Sequence, residues 1–165
     1  MKKTLFAIII TVFISQLAIA GEHAMKDKEG MHGNNGLVTI PSAYSVKVTL
    51  DRLENILRAK KINIVTRWAH HEKAENVGIK LRPTELLLFG NPKLGSHMFT
   101  SQQTSGIDLP MKALAWEDAK GKVWLTYNDP AYIAKRHGIN DRDEVIKKMT
   151  NALKKLTNKA TSPEA

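Results

Sequence analysis

The run Leu86-Leu87-Leu88-Phe89 is apolar at every position. Side chains of a strand alternate between faces, so a strand built from this run presents hydrocarbon on both. It belongs in the interior of a sheet, with cover above and below. Gly90-Asn91-Pro92 closes it. Lys112–Trp116 and Lys122–Tyr127 flank the polar turn Glu117–Gly121 and read as a hairpin. Leu37–Ile40, ended by Pro41, supplies another strand, as do Ile62, Ile64, Thr66 and Trp68 at alternate positions. Val77–Leu81, closed by Arg82-Pro83, is a short strand candidate.

Helical spacing appears between these segments. Ser45 is placed to cap a helix running to about Lys61, with Leu50, Leu53 and Leu57 on one face. Asp129-Pro130 is a cap followed by proline at the first helical position, opening a short helix that stops at Gly138. Asp141 opens the last helix, where Val145, Ile146, Met149, Ala152, Leu153 and Leu156 form one apolar stripe. Beyond it, Thr157–Ala165 is expected to fray. Strands outnumber helices, and several connections are too short for parallel crossovers. The expected fold is α+β, a single domain with a largely antiparallel sheet packed against helices, in the order β-α-β-β-β-β-α-α.

The chain has 165 residues, enough for one ordinary domain. It has no cysteine, which excludes disulfide scaffolds, thiolate metal sites and cysteine nucleophiles. Lys2 and Lys3 precede an uncharged stretch that ends in Ala18-Ile19-Ala20, a pattern read by signal peptidase. Residues 1–20 are therefore expected to be a signal peptide, with a retained membrane anchor as the alternative, and the mature protein to be periplasmic. Residues 21–36 hold four glycines and read as a flexible leader containing histidine and methionine. The domain is then expected over residues 37–158, with a frayed tail over 159–165.

The net charge is +9, and loss of Lys2 and Lys3 leaves 23 basic against 16 acidic residues, or +7. Lys147, Lys148, Lys154, Lys155 and Lys159 line the last helix, and Arg52, Arg58, Lys60 and Lys61 the first. They read as a solvated basic face, with weak contact to an anionic envelope surface as the alternative. No nucleic-acid partner is expected, because the aromatics lie in the strands rather than among the basic residues.

Arg67-Trp68-Ala69-His70, Val77-Gly78, Leu81-Arg82-Pro83-Thr84, Phe89-Gly90-Asn91-Pro92, Asp108-Leu109-Pro110, Trp116-Glu117-Asp118, Tyr127, Pro130 and His137 occur in this order. Over about residues 37–138 the chain resembles the bacterial domain-of-unknown-function 302 family. The resemblance implies a small α+β domain with an antiparallel sheet, and a homodimer. It implies no activity. Ala69 stands where the family usually has an acidic residue, so no carboxylate from that position orients His70.

Several groups carry possible chemistry. His70, Asn91, Ser96, His97 and Tyr127 form a candidate ligand pocket around the loop Asn91–Pro110. There Ser96 is placed to cap a short helix whose free N–H groups attract an anion. His70-His71-Glu72 offers a base or metal ligand, although adjacent strand residues face opposite ways. Glu117-Asp118 fit a turn better than a catalytic pair. After cleavage the chain starts Gly21-Glu22-His23, whose amine, amides and imidazole suit square-planar Cu(II). Met25, Met31 and His32 follow as Cu(I) ligands. No recognisable catalytic motif is present, so whether the protein is an enzyme stays open. The expected function is an exported small-ligand or metal-binding accessory module, with copper the candidate metal. An enzyme built around His70 and the Asn91–Pro110 loop, and an envelope-associated interaction protein, are the alternatives.

Overall fold

The computed structural model describes residues 31–32 and 35–163. Residues 1–20, the expected signal peptide, and residues 21–30, 33 and 34 of the expected leader lie outside them. Six antiparallel strands form one sheet in the order β1-β2-β6-β5-β4-β3. They are β1 (Met31–His32), β2 (Leu37–Ser42), β3 (Asn63–Ala69), β4 (Thr84–Gly90), β5 (Met111–Glu117) and β6 (Val123–Asn128). The α+β reading holds, and β5–β6 is the expected hairpin. The apolar run forms β4, paired on both sides with β3 and β5. The sheet begins inside the segment assigned to the leader, because Met31 pairs with Thr39 and His32 with Val38. β2 runs through Pro41, which pairs with Trp124 of β6.

Helix α1 (Val46–Ala59) carries the chain from β2 to β3, across the three intervening strands. Ser45 caps it, accepting from the Val48 N–H at 3.3 Å. Leu50, Leu53 and Leu57, one helical face, are fully buried. The last helix, α5 (Asp143–Thr161), lays Met149, Leu153 and Leu156 on the same side of the sheet. Beneath the two helices lie Val38, Ile40, Leu87, Phe89, Ala113, Ala115 and Leu125, the inner face of the sheet. Between the last two strands and α5, Asp129 and Pro130 open α4 (Pro130–Arg136) as the sequence indicates, with Asp129 Oδ1 accepting from the Ala131 N–H at 2.9 Å.

Four expectations give way. Val77–Leu81 is not a strand: the Ala74 carbonyl accepts from both Val77 and Ile79, closing a turn with Gly78 at φ +76°. The polar stretch before it forms a short helix, α2 (His70–Glu75). Thr157–Thr161 does not fray. Thr157, Ala160 and Thr161 are buried, and Thr161 accepts from the Ala43 N–H at 2.9 Å. Finally, Asn91–Pro110 is largely helical, containing α3 (Pro92–Ser101) and a 3-10 turn (Gln103–Ile107).

Candidate functional site

Asn91, immediately after β4, caps α3 through Oδ1, which accepts from the Lys93 N–H at 3.0 Å, and Pro92 takes the first helical position. Ser96 is thus a mid-helix residue and caps nothing. The anion site expected from it loses its basis, because the N–H groups of a helix interior are already bonded.

What α3 does instead is roof a cavity of about 250 Å3. Leu94, Gly95, Ser96 and Phe99 come from the roof, and Met149, Ala152, Leu153 and Leu156 from the inner face of α5. The sheet contributes Ile62, Asn63 and Val65 near the start of β3, Phe89 and Gly90 at the end of β4, and Leu109–Met111 entering β5. No lining residue is charged. The cavity lies where α3 leaves the sheet at Gly90-Asn91 and passes over α5.

The roof is held to the α4–α5 connection by polar contacts. Ser101 Oγ donates to Asp141 Oδ1 at 2.5 Å, and Arg142 Nε donates to the His97 carbonyl at 3.2 Å. The Ser101 hydrogen bond holds the Asp141 carboxyl below the usual carboxylate range, with help from the Arg142 charge. Between Leu109 and the 3-10 turn, Asp108 Oδ2 lies 2.7 Å from His137 Nε2, and Arg136 donates to Oδ1 at 3.2 Å. Asp108 can only accept when ionised, so neutral His137 carries its proton on Nε2. Nδ1 then accepts from the Thr104 hydroxyl at 3.2 Å. Hydroxyl, imidazole and carboxylate stand in the order of a nucleophile, base and orienting group. Here Asp108 is shared with Arg136, and Lys112 Nζ donates to its main-chain carbonyl at 2.9 Å. The convergence of Arg136, His137 and Lys112 on Asp108 makes it a clasp for the cavity wall.

Of the five pocket candidates, Asn91 and Ser96 line the cavity. His70 stands beside the opposite end of β4 from Asn91, about 20 Å away along the strand. Its neighbour His71 sets Nδ1 against the Thr84 main chain, 3.1 Å from its carbonyl. Tyr127 is buried on the inner face in mid-sheet, where desolvation pushes its phenol up. The His97 ring is exposed. Asp118 builds its turn, accepting from the Lys120 and Lys122 N–H groups and from Trp124 Nε1. Gly21, Glu22, His23 and Met25 lie outside the described residues, as do the side chains of Met31 and His32. Among the described residues no three His, Cys, Asp or Glu gather as metal ligands. Sequence reasoning did not single out the clasp as a site. Asp108 and His137 appeared only within the family pattern, and Thr104 gave no signal.

The Brucella suis biovar 1 and Brucella abortus biovar 1 proteins named fluoride-specific ion channel FluC 1 are each 43% identical to this chain over 125 residues. That stretch is 75% of this chain but 49% and 46% of theirs, so the chain spans about half the length of the curated relatives it matches. A solved structure, described as an uncharacterized conserved protein DUF302 from Bacillus stearothermophilus, has the same fold. Its TM-score is 0.69 at 17% identity, covering 76% of this chain and 98% of that one. The family model described as domain of unknown function DUF302 matches residues 38–156, from β2 to Leu156 on α5. Strands β3 to β6, the cavity and the clasp fall within that match, and the chain belongs to the DUF302 family.

Proposed function

We propose that the mature protein is an exported accessory module that holds a small ligand in the cavity beneath α3. The observation that carries this reading is the cavity itself: about 250 Å3, formed by both helical and sheet elements, with no charge in its wall. Ligand sites are commonly concave and apolar with few polar groups. Export is supported by Lys2-Lys3, the uncharged stretch after them and Ala18-Ile19-Ala20. The accessory role is supported by the Brucella proteins, which share this module and have as much chain again besides. The channel activity in their names is not carried over. Among the described residues no helix is long and apolar enough to cross a membrane.

Native mass spectrometry of protein taken from the periplasm without chelators tests this reading. Expected are a chain starting at Gly21 and a small molecule released on activation. An unprocessed chain overturns cleavage after Ala20. A bare protein that also takes up no ligand from periplasmic extract overturns the binding reading.

A second reading rests on Gly21-Glu22-His23 as the new amino terminus. We propose that it takes up one Cu(II) through four nitrogens. Affinity should fall with pH, because amide and imidazole protons must leave. Unchanged Cu(II) affinity in His23→Ala, and in a chain extended by one N-terminal residue, overturns it.

A further inference from the structure

We infer that the ligand of this cavity is an uncharged, compact apolar molecule, somewhat larger than benzene, with one hydrogen-bond acceptor. This rests on the small-ligand reading above and names its chemistry.

Size comes first. A dry apolar cavity of roughly 150 Å3 accepts benzene. At about 250 Å3 this one has room for a substituted or fused ring, and it stays open to solvent at its lip.

Charge comes from the wall. The floor is Met149, Leu153 and Leu156 from α5 with Phe89 and Met111 from the sheet, and Phe99 adds a ring from α3. An ion placed there loses its hydration and meets no counter-charge, so a neutral body is favoured strongly. The two methionines let the floor adapt to ring shape.

The polar requirement comes from Asn91. Its Oδ1 is committed to the Lys93 N–H as the helix cap, which fixes the amide orientation. The Nδ2 hydrogens are left as donors at the lip, calling for an acceptor on the ligand. Gly95, on the roof, keeps the space open: a Cβ built there meets nothing nearer than Phe99 Cε2 at 3.9 Å. A larger side chain at 95 therefore fills the cavity from a position that tolerates it.

The test uses the mature protein with 13C-methyl methionine and four probes of one shape: toluene, p-cresol, p-toluate and 4-methylbenzylammonium. Met111 and Met149 line the cavity, whereas Met98 is buried outside its lining and serves as control. Toluene and p-cresol should shift the Met111 and Met149 methyls and leave Met98 in place. p-Cresol should bind about fivefold more tightly than toluene, the worth of one hydrogen bond. Asn91→Ser keeps a capping oxygen on a shorter side chain but withdraws the amide donors from the lip, and should abolish that preference while toluene still binds. Gly95→Leu should abolish both.

Tighter binding of p-toluate or the ammonium probe at Met111 and Met149 overturns the assigned class and leaves the small-ligand reading standing. Equal affinity for p-cresol and toluene overturns the role of Asn91. No shift with any probe overturns this inference, while native mass spectrometry decides the binding reading separately.

Discussion

Arg67 reaches from β3 to three acceptors at once. It bonds Glu85 Oε2 at 2.6 Å and Asp51 Oδ1 at 2.5 Å, and the Lys47 carbonyl at 3.2 Å, tying the edge strand to α1. Hydrogen bonds from Lys47 and from Arg67 hold the Asp51 carboxyl below the usual carboxylate range. A carboxyl depressed in the folded state stabilises above its unfolded value, about 3.9, and loses that contribution as pH falls through the folded value. In Asp51→Asn, thermal unfolding followed by circular dichroism should therefore fall less steeply below about pH 4 than in the parent. At neutral pH the loss should be about 1 kcal/mol or less, because Asp51 is 37% exposed and water screens its pairs. An acid limb identical in both proteins would remove Asp51 from the account. Arg52 makes a related point. Read from sequence as part of a solvated basic face, it donates from Nε to the Ala160 carbonyl at 3.0 Å and lies 4.3 Å from the Tyr44 ring centre. Charge alone did not reveal that contact, whose partners lie over a hundred residues apart.

At the scale of elements, what the sequence revealed was local chemistry. Ser45 and Asp129-Pro130 announced their helices because a capping oxygen and a fixed proline φ act within one turn. Asn91-Pro92 has the same grammar, yet the glycine before it reads equally as a turn, so the sequence pattern puts the start of α3 at Ser96 instead of Asn91. Leu156 looked like the end of α5 because the inward positions after it are Thr157, Ala160 and Thr161, whose small side chains blur the stripe. Thr157 and Thr161 are accommodated by donating to the carbonyls of Leu153 and Thr157, at 2.8 and 3.0 Å. The cavity was illegible for a different reason. Its wall joins the ends of three strands to α3 and α5, and no local pattern encodes where a roof fails to pack. Gly95 allows a direct check on α3. Glycine inside a helix costs about 0.5–1 kcal/mol relative to alanine. Gly95→Ala should raise the melting temperature by about 2–4 °C. A lowered value would mean that the roof requires a residue without a Cβ. Gly36 predicts the opposite sign. It sits at φ +78°, and a Cβ there would meet the Tyr132 ring at 2.1 Å, so Gly36→Ala should be clearly destabilising in the same assay.

At the scale of the whole molecule, the opening inference about β4 asks for cover on both faces, and α1 and α5 cover only the inner one. The outer face carries a row across the sheet from Trp68 through Leu86 and Leu114 to Thr126 and Thr39, set by strand register. Leu88 lies on one side of this row and the stacked pair Trp116–Trp124, centroids 6.3 Å apart, on the other. Trp68 is 47% exposed. Along these strands Lys112 is the charged residue facing outward, and Lys73 and Lys122 from the flanking segments lie over the Trp68 and Trp124 rings, 5.2 and 4.3 Å from their centres. The apolar centre around Leu86 and Leu114 is what the face offers to a second copy. Five strands at about 4.8 Å spacing and six residues at about 3.3 Å give a footprint of about 500 Å2 per copy. A standard stable interface uses about 800 Å2 per partner, so the dimer we propose is a weak one. Sedimentation equilibrium should show dimers at tens of micromolar that dissociate near one micromolar. All three tryptophans of the chain lie on this face, so the emission maximum should shift to the blue over the same concentration range. Leu114→Lys places a charge at the centre of the row without touching the inner core. It should give a monomer with an unshifted spectrum and nearly the parent melting temperature. A parent protein that stays monomeric at a hundred micromolar, or a dimer that survives Leu114→Lys, would show that this face is left to water or belongs to another partner.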